Sequence, residues 1–177
     1  TIIHHVGDIG RMVNEFSAFA RMPEPVMARE NLNAHIRDII TFQQQAHPEI
    51  QFELHGIGSQ EPPMVTMFDG QQIRQAVTNI VQNAIDSIET RINEEENPDK
   101  GCIRIMLGEL YDTKEIVIAV QDNGAGFPDS VDTNSLMEPY VTKKDKGTGL
   151  GLAIDKKIME DHEGRIMLGR HEWMDKD

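Results

Sequence analysis

Apolar residues recur along the first segment, TIIHHVGDIGRMVNEFSAFARMPEP, at Ile2, Val6, Ile9, Val13, Phe16 and Ala20. The alternating steps of four and three form a heptad seam, the stripe of a helix built to pack on another helix. Arg21-Met22-Pro23-Glu24-Pro25 stops it, since proline cannot continue a helix. The seam has no partner helix within its own segment, so its partner is expected in another chain or in a missing piece of this one. Asn31 to Ala46 then reads as a helix with Asn31 as N-cap and Pro48 just past the end. Ile50, Phe52 and Leu54 alternate, as do Val65 and Met67, and both runs predict short strands. Asp69 predicts an N-cap, with Gln72 placed for a capping box. The helix it opens carries a broad apolar face of Ile73, Ala76, Val77, Ile80, Val81, Ala84, Ile85 and Ile88. Ile103, Ile105 and Leu107 alternate as a strand. Ile116 to Val120 is apolar throughout, which predicts a strand covered on both faces. Leu150, Ala153, Ile154 and Ile158 have helical spacing, and a last strand is expected near Arg165 to Leu168.

Composition narrows the classes. The chain has 177 residues, 38% hydrophobic, enough for one domain with an appendage. Its formal net charge of -13 argues against a general nucleic-acid surface, which needs a basic footprint. A small anion can still bind in a local pocket. The single cysteine, Cys102, allows no internal disulfide, which fits a reducing compartment. No apolar run approaches membrane-spanning length and no signal peptide is visible. The chain begins at Thr1 and reads as a piece of something longer, such as a membrane protein.

Chemistry collects in three places. Within QAVTNIVQNAIDSIE, Gln75, Asn79, Asn83 and Asp86 form one stripe beside the apolar face. A solvated helix edge explains a single Asn, whereas neutral amide oxygens in pairs can also ligate Mg²⁺ alongside phosphate oxygens and water. In QDNGAGFP a carboxylate, Asp122, stands at a strand end before an Asn-Gly turn. It could accept from an exocyclic amine, and Gly124 and Gly126 would let backbone lie against a flat ligand. A plain hairpin is the competing reading. In DKGTGLGLAIDKKIMEDH, Gly147, Gly149 and Gly151 stand at the mouth of a helix. Such a loop is either simply mobile or an anion cradle.

The ordered set NIVQNAIDS, DNGAGFP and EPYVTKKDKGTGLGLAI resembles the N, G1, F and G2 boxes of the histidine-kinase branch of the gyrase, Hsp90, kinase and MutL ATPase superfamily. The resemblance covers roughly residues 31–168. DIGRMVNEFSAFARMPEP is similar to the second dimerisation helix of nitrogen-regulation sensor kinases. The implied fold is an α/β (α+β) two-layer sandwich, a mixed sheet with helices on one face in the Bergerat arrangement, preceded by one long helix. The implied domains are 1–22, part of a dimerisation and phosphotransfer hairpin; 23–30, a linker; and 31–177, the ATP-binding catalytic domain.

Carried onto this sequence, the resemblance makes Asn83 the Mg²⁺ ligand, assisted by Asn79, and Asp122 the reader of the adenine amine. Gly124 and Gly126 match the glycines beneath the base. Lys143 approaches the phosphates, and Gly147, Gly149 and Gly151 belong to the loop that folds over them. Phe127, Thr142, Thr148 and Leu150 complete the implied nucleotide contacts. Residues from about Pro128 to Lys146 would form a lid. Pro139-Tyr140-Val141 departs from the aromatic F box.

Hydrolysing members of the superfamily carry glutamate at the position of Asn79. A carboxylate can take a proton from water and an amide cannot, so transfer to a side chain is expected rather than hydrolysis. Asn79 and Lys143 are therefore the expected catalytic residues. Kinases of this class phosphorylate a histidine on the first hairpin helix, followed by an acidic residue. None of His4, His5, His35, His47, His55, His162 and His171 stands in that context throughout, so the acceptor is expected outside this chain. The implied cofactors are ATP and Mg²⁺. The implied partners are a response-regulator receiver domain and a second copy through the hairpin, with no nucleic acid. The expected location is cytoplasmic, within a longer protein anchored in the inner membrane. Two alternatives stay open: an ATP-hydrolysing or serine-directed member of the superfamily, and a non-catalytic module that assembles on ATP.

Overall fold

A computed structural model describes residues 22–58, 61–96, 98–127, 132–133, 135–139, 141 and 149–169. The heptad seam lies outside the described residues. The chain divides into two compact units, one containing Met27–Phe127, the other the described residues of Pro128–Gly169.

The first unit runs β1 (Ala28–Asn31), α1 (Leu32–Ala46), β2 (Gln51–His55), β3 (Val65–Phe68), α2 (Gly70–Glu94), β4 (Cys102–Glu109) and β5 (Ile116–Asp122). Both helix starts follow from side-chain caps. The Asn31 side chain accepts from the Asn33 N–H. The Asp69 carboxylate accepts from the N–H groups of Gln71 and Gln72, at 2.9 and 3.0 Å. These bonds satisfy backbone donors that have no partner within the helix.

β2, β4 and β5 make a mixed sheet, with β2 parallel to β4 and β4 antiparallel to β5. Alternation along β4 turns Ile103, Ile105 and Leu107 into the core and leaves Cys102, Arg104 and Met106 half-exposed on the other face. α2, which buries Ile73, Ala76, Val77, Val81, Ala84, Ile85 and Ile88, packs on β4 and β5, and α1, which buries Leu32, Ile36, Ile39 and Ile40, packs on α2 and β2. Of the apolar face expected on α2, only Ile80 is not fully buried. This is the expected two-layer arrangement of a mixed sheet with helices on one face.

Four details differ from the sequence reading. β1 is an additional strand, antiparallel to β3 with Ala28 opposite Phe68. In β3 the alternating Val65 and Met67 point outward, 44% and 58% exposed, and Phe68 takes the core position at 3%. Phe68 meets His35 of α1 edge to face at 5.2 Å, which places that face of β3 against the helix. β5 is not fully buried: only Ala119 is, the other residues are half-buried, and among the described residues β5 pairs with β4 alone. Residues 165–168 form no strand, with Met167 76% exposed; a strand needs a ladder partner, and these residues have none among those described.

In the second unit, α3 (Gly151–Asp161) follows the glycine-rich stretch and buries Ala153, Ile154 and Ile158, as the spacing predicts. Ser135–Met137 forms one turn of 3-10 helix.

Candidate nucleotide site

The Asn residues occupy one side of α2. Asn79 and Asn83 are half-buried there, one helical turn apart. The stripe continues at the same spacing to Ser87. Asp86 stands just beside it, its carboxylate accepting from Gln82 Nε2 at 2.8 Å. Upstream, an open trough along the helix is lined by Gln71, Arg74, Gln75, Thr78, Asn79 and Gln82. Among the described residues no group of three or more His, Cys, Asp and Glu could hold a metal ion. A cation here would therefore need amide and phosphate oxygens, a donor set that suits Mg²⁺ bound together with a polyphosphate.

The DNGAGF stretch meets this stripe at Ser87. Asp122 ends β5, paired with Ile103 across the ladder. One of its carboxylate oxygens accepts from the Gly124 N–H at 2.9 Å. A carboxylate has roughly four lone-pair sites, so capacity remains for a ligand amine. The Ala125 N–H donates to the Ser87 carbonyl at 3.0 Å. Gly124 lies so close to α2 that a Cβ there would stand 2.2 Å from Ser87 Oγ and 2.5 Å from the Ser87 carbonyl carbon. Its lack of a side chain thus serves contact with the helix. Gly126, at φ 68°, takes a backbone conformation that favours glycine. Phe127 is half-buried.

Asn123 fixes the loop from the opposite side. Its Oδ1 accepts from the Cys102 N–H at 2.8 Å, and its Nδ2 donates to the Lys100 carbonyl at 2.9 Å. Sequence reasoning assigned nothing to Ser87 and read Asn123 only as half of a turn signal. Both sit inside the motifs, but their contacts are long-range and leave no periodic signal.

Nearby on β4, the Cys102 thiol is pushed up from its ordinary pKa, first by burial and then by the negative charge of Glu53. Glu53 is held low by its hydrogen bond from Arg104 Nε, at 3.0 Å.

Of the glycine-rich motif, Gly149, Leu150 and Gly151 are described. Gly149 has φ 69°, and Leu150 is fully buried at the N-cap position of α3. Leu150 makes no side-chain cap bond, so no side chain of that cap residue occupies the first N–H groups of the helix. Thr142, Lys143, Gly147 and Thr148 lie outside the described residues, as does Tyr140.

Comparison with known proteins fits this arrangement. The family described as "Histidine kinase-, DNA gyrase B-, and HSP90-like ATPase" matches residues 68–174, and the chain belongs to it. It is 45% identical, over 98% of its length, to the nitrogen regulation protein NtrY of Azorhizobium caulinodans. It is 34% identical, over 97% of its length, to a putative sensor histidine kinase, NtrY-like, of Rickettsia conorii. The matches span 22% and 26% of those proteins, so the chain covers about a quarter of the length of the curated relatives. Among solved structures, the catalytic domain of histidine kinase ThkA superposes with a TM-score of 0.60 at 27% identity, covering 77% of this chain and 82% of that one. A mycobacterial sensor histidine kinase, MprB, shares the fold with a TM-score of 0.62 at 22% identity, covering 78% of this chain and 81% of that one. No helix among the described residues is long and apolar enough to cross a membrane.

Proposed function

We propose that this chain is the ATP-binding catalytic part of a sensor histidine kinase acting in nitrogen regulation. It would pass the γ-phosphate of ATP to a histidine on a helix outside this chain, for relay to a response-regulator aspartate. One observation carries the reading: the DNGAGF loop, with its strand-end carboxylate, is seated on the Asn79–Asn83 helix one turn beyond Asn83. In this reading a base reader and a phosphate-side amide pair would share one helix.

In this reading Asp122 accepts a hydrogen bond from the adenine amine, with Gly124, Gly126 and Phe127 beside the base. Asn83, assisted by Asn79, supplies amide oxygens to Mg²⁺, whose charge would offset that of the phosphates when bound. Lys143 and the stretch Thr142 to Gly151, with Thr148 and Leu150, hold the triphosphate against backbone N–H groups at the start of α3. Asn79 cannot take a proton from water, which keeps ATP for transfer to the acceptor. Residues 1–22 would contribute the second helix of a hairpin that joins two copies, 23–30 the linker, and 31–177 the catalytic domain. The full-length protein would be anchored in the inner membrane with this part on the cytoplasmic side.

The test is nucleotide selectivity by calorimetry with Mg²⁺ present. GTP presents a carbonyl oxygen where ATP presents the amine, so two acceptors would face each other. An unpaired buried acceptor costs about 1–3 kcal/mol, which predicts an ATP preference of roughly five- to 150-fold. Comparable affinity for the two nucleotides would remove Asp122 as the base reader.

A further inference from the structure

We propose that Ser87 is the positioning residue of the base-reading loop, acting on Asp122 through Gly124. The proposal rests on the reading of Asp122 given above and adds a residue to that site.

Three contacts converge on this serine. Its carbonyl accepts from the Ala125 N–H at 3.0 Å. Its hydroxyl accepts from the Gly126 N–H at 3.4 Å. Gly124 packs over it with no room for a Cβ, which would meet Ser87 Oγ, C and Cβ at 2.2, 2.5 and 2.6 Å. Gly124 in turn donates its N–H to Asp122 Oδ1. Ser87 therefore sets the height of the loop, and the loop sets the direction of the carboxylate.

The helix side is fixed as well. Arg91, one turn beyond Ser87, donates to the Asp99 carbonyl at 2.8 Å, and Asn123 holds the carbonyl of the next residue, Lys100. The DNGAG loop is thus tied to α2 directly at Ser87 and indirectly through residues 99–102.

Side-chain chemistry explains why serine suits the position. A larger side chain would fill the volume that Gly124 occupies. Alanine would fit but would leave the Gly126 N–H without this acceptor. The serine also stands one turn beyond Asn83, so it links base reading and cation binding along one helix face.

Threonine and valine have nearly the same shape and crowd Gly124 alike, but only threonine keeps the hydroxyl. Calorimetry of the full chain with MgATP, MgGTP and magnesium tripolyphosphate would be run on wild type, Ser87→Ala, Ser87→Thr and Ser87→Val. Hydrogen exchange of the Gly126 amide would be followed by NMR. The Gly126–Ser87 bond is long and exposed, so its loss predicts ATP binding about two- to threefold weaker in Ser87→Ala than in wild type, and in Ser87→Val than in Ser87→Thr. Tripolyphosphate binding should stay unchanged, and Gly126 should exchange faster wherever the hydroxyl is missing.

A merely structural serine would lower ATP and tripolyphosphate binding together, and that result would overturn the proposal. So would equal ATP affinity in the Thr and Val variants. If wild type itself fails to prefer ATP over GTP, the reading of Asp122 falls. If wild type prefers ATP and the variants keep the full preference, only the role of Ser87 falls.

Discussion

Replacing Gly124 with alanine should separate the base-reading loop from its helix. The new Cβ would lie 2.5 Å from the Ser87 carbonyl carbon, where ordinary contacts start at 3.4 Å. That carbon is helix backbone and cannot rotate away, so the loop must lift by most of an ångström. Overpacking of this kind costs about 1–3 kcal/mol of stability. The larger effect should fall on binding, because Asp122 is aimed by the Gly124 N–H. Losing a hydrogen bond to a charged group costs about 1.5–3 kcal/mol, roughly ten- to 150-fold in Kd. Gly108→Ala is the control: it stands on β4 outside the proposed site, and its Cβ meets nothing within 4 Å among the described residues. It should leave both the melting temperature and the ATP affinity near wild type. Calorimetry and thermal melts on both variants decide. Wild-type ATP affinity in Gly124→Ala would refute the seating of the loop on Ser87.

Three further outcomes are expected. Asn83→Ala should weaken MgATP binding by about 1–3 kcal/mol, with a smaller change for ATP in chelator, as calorimetry at both conditions would record. Asp69→Ala removes the cap of α2 and should cost about 1–2 kcal/mol in urea unfolding, since two N–H groups lose their acceptor. Alkylation of Cys102 by iodoacetamide should be slower than that of a cysteine in a short peptide and should go on accelerating to higher pH, because its pKa is raised and the thiolate is the nucleophile. A rate that levels off at the same pH as the peptide's, or lower, would contradict the shift.

The helices were legible because their signals are local. Asn31 and Asp69 are capping residues directly before apolar residues at helical spacing, and both cap as the sequence predicts. β4 was legible from Ile103, Ile105 and Leu107, which face the core. β1 was not, because Ala-Arg-Glu-Asn carries no apolar alternation; its strand exists through pairing with β3. The outward turn of Val65 and Met67 was hidden for a related reason. Alternation marks a strand, but which face is covered depends on the neighbours, here His35 beneath Phe68. In the site, the order of the motifs was readable, and so was the spacing of Asn79 and Asn83. The part of Gly124 in packing was not, since a close approach to a helix and a close approach to a ligand both ask for glycine. Ser87 had no signal at all, because one serine on a helix edge is unremarkable until the loop is seen upon it.

The most direct measurement is phosphoryl transfer. The chain would be incubated with Mg²⁺, γ-labelled ATP and a helical hairpin that carries an acceptor histidine, and the label mapped by mass spectrometry. Transfer needs the acceptor nitrogen held about 3–3.5 Å from the γ-phosphorus, in line with the leaving oxygen. The expected result is label on the hairpin histidine, labile in acid and stable in base, with little label on the chain when the hairpin is omitted. Free phosphate released at the same rate with or without the hairpin, and no labelled histidine, would contradict a histidine kinase. So would rapid stoichiometric labelling of His4, His5 or His171 in the chain alone.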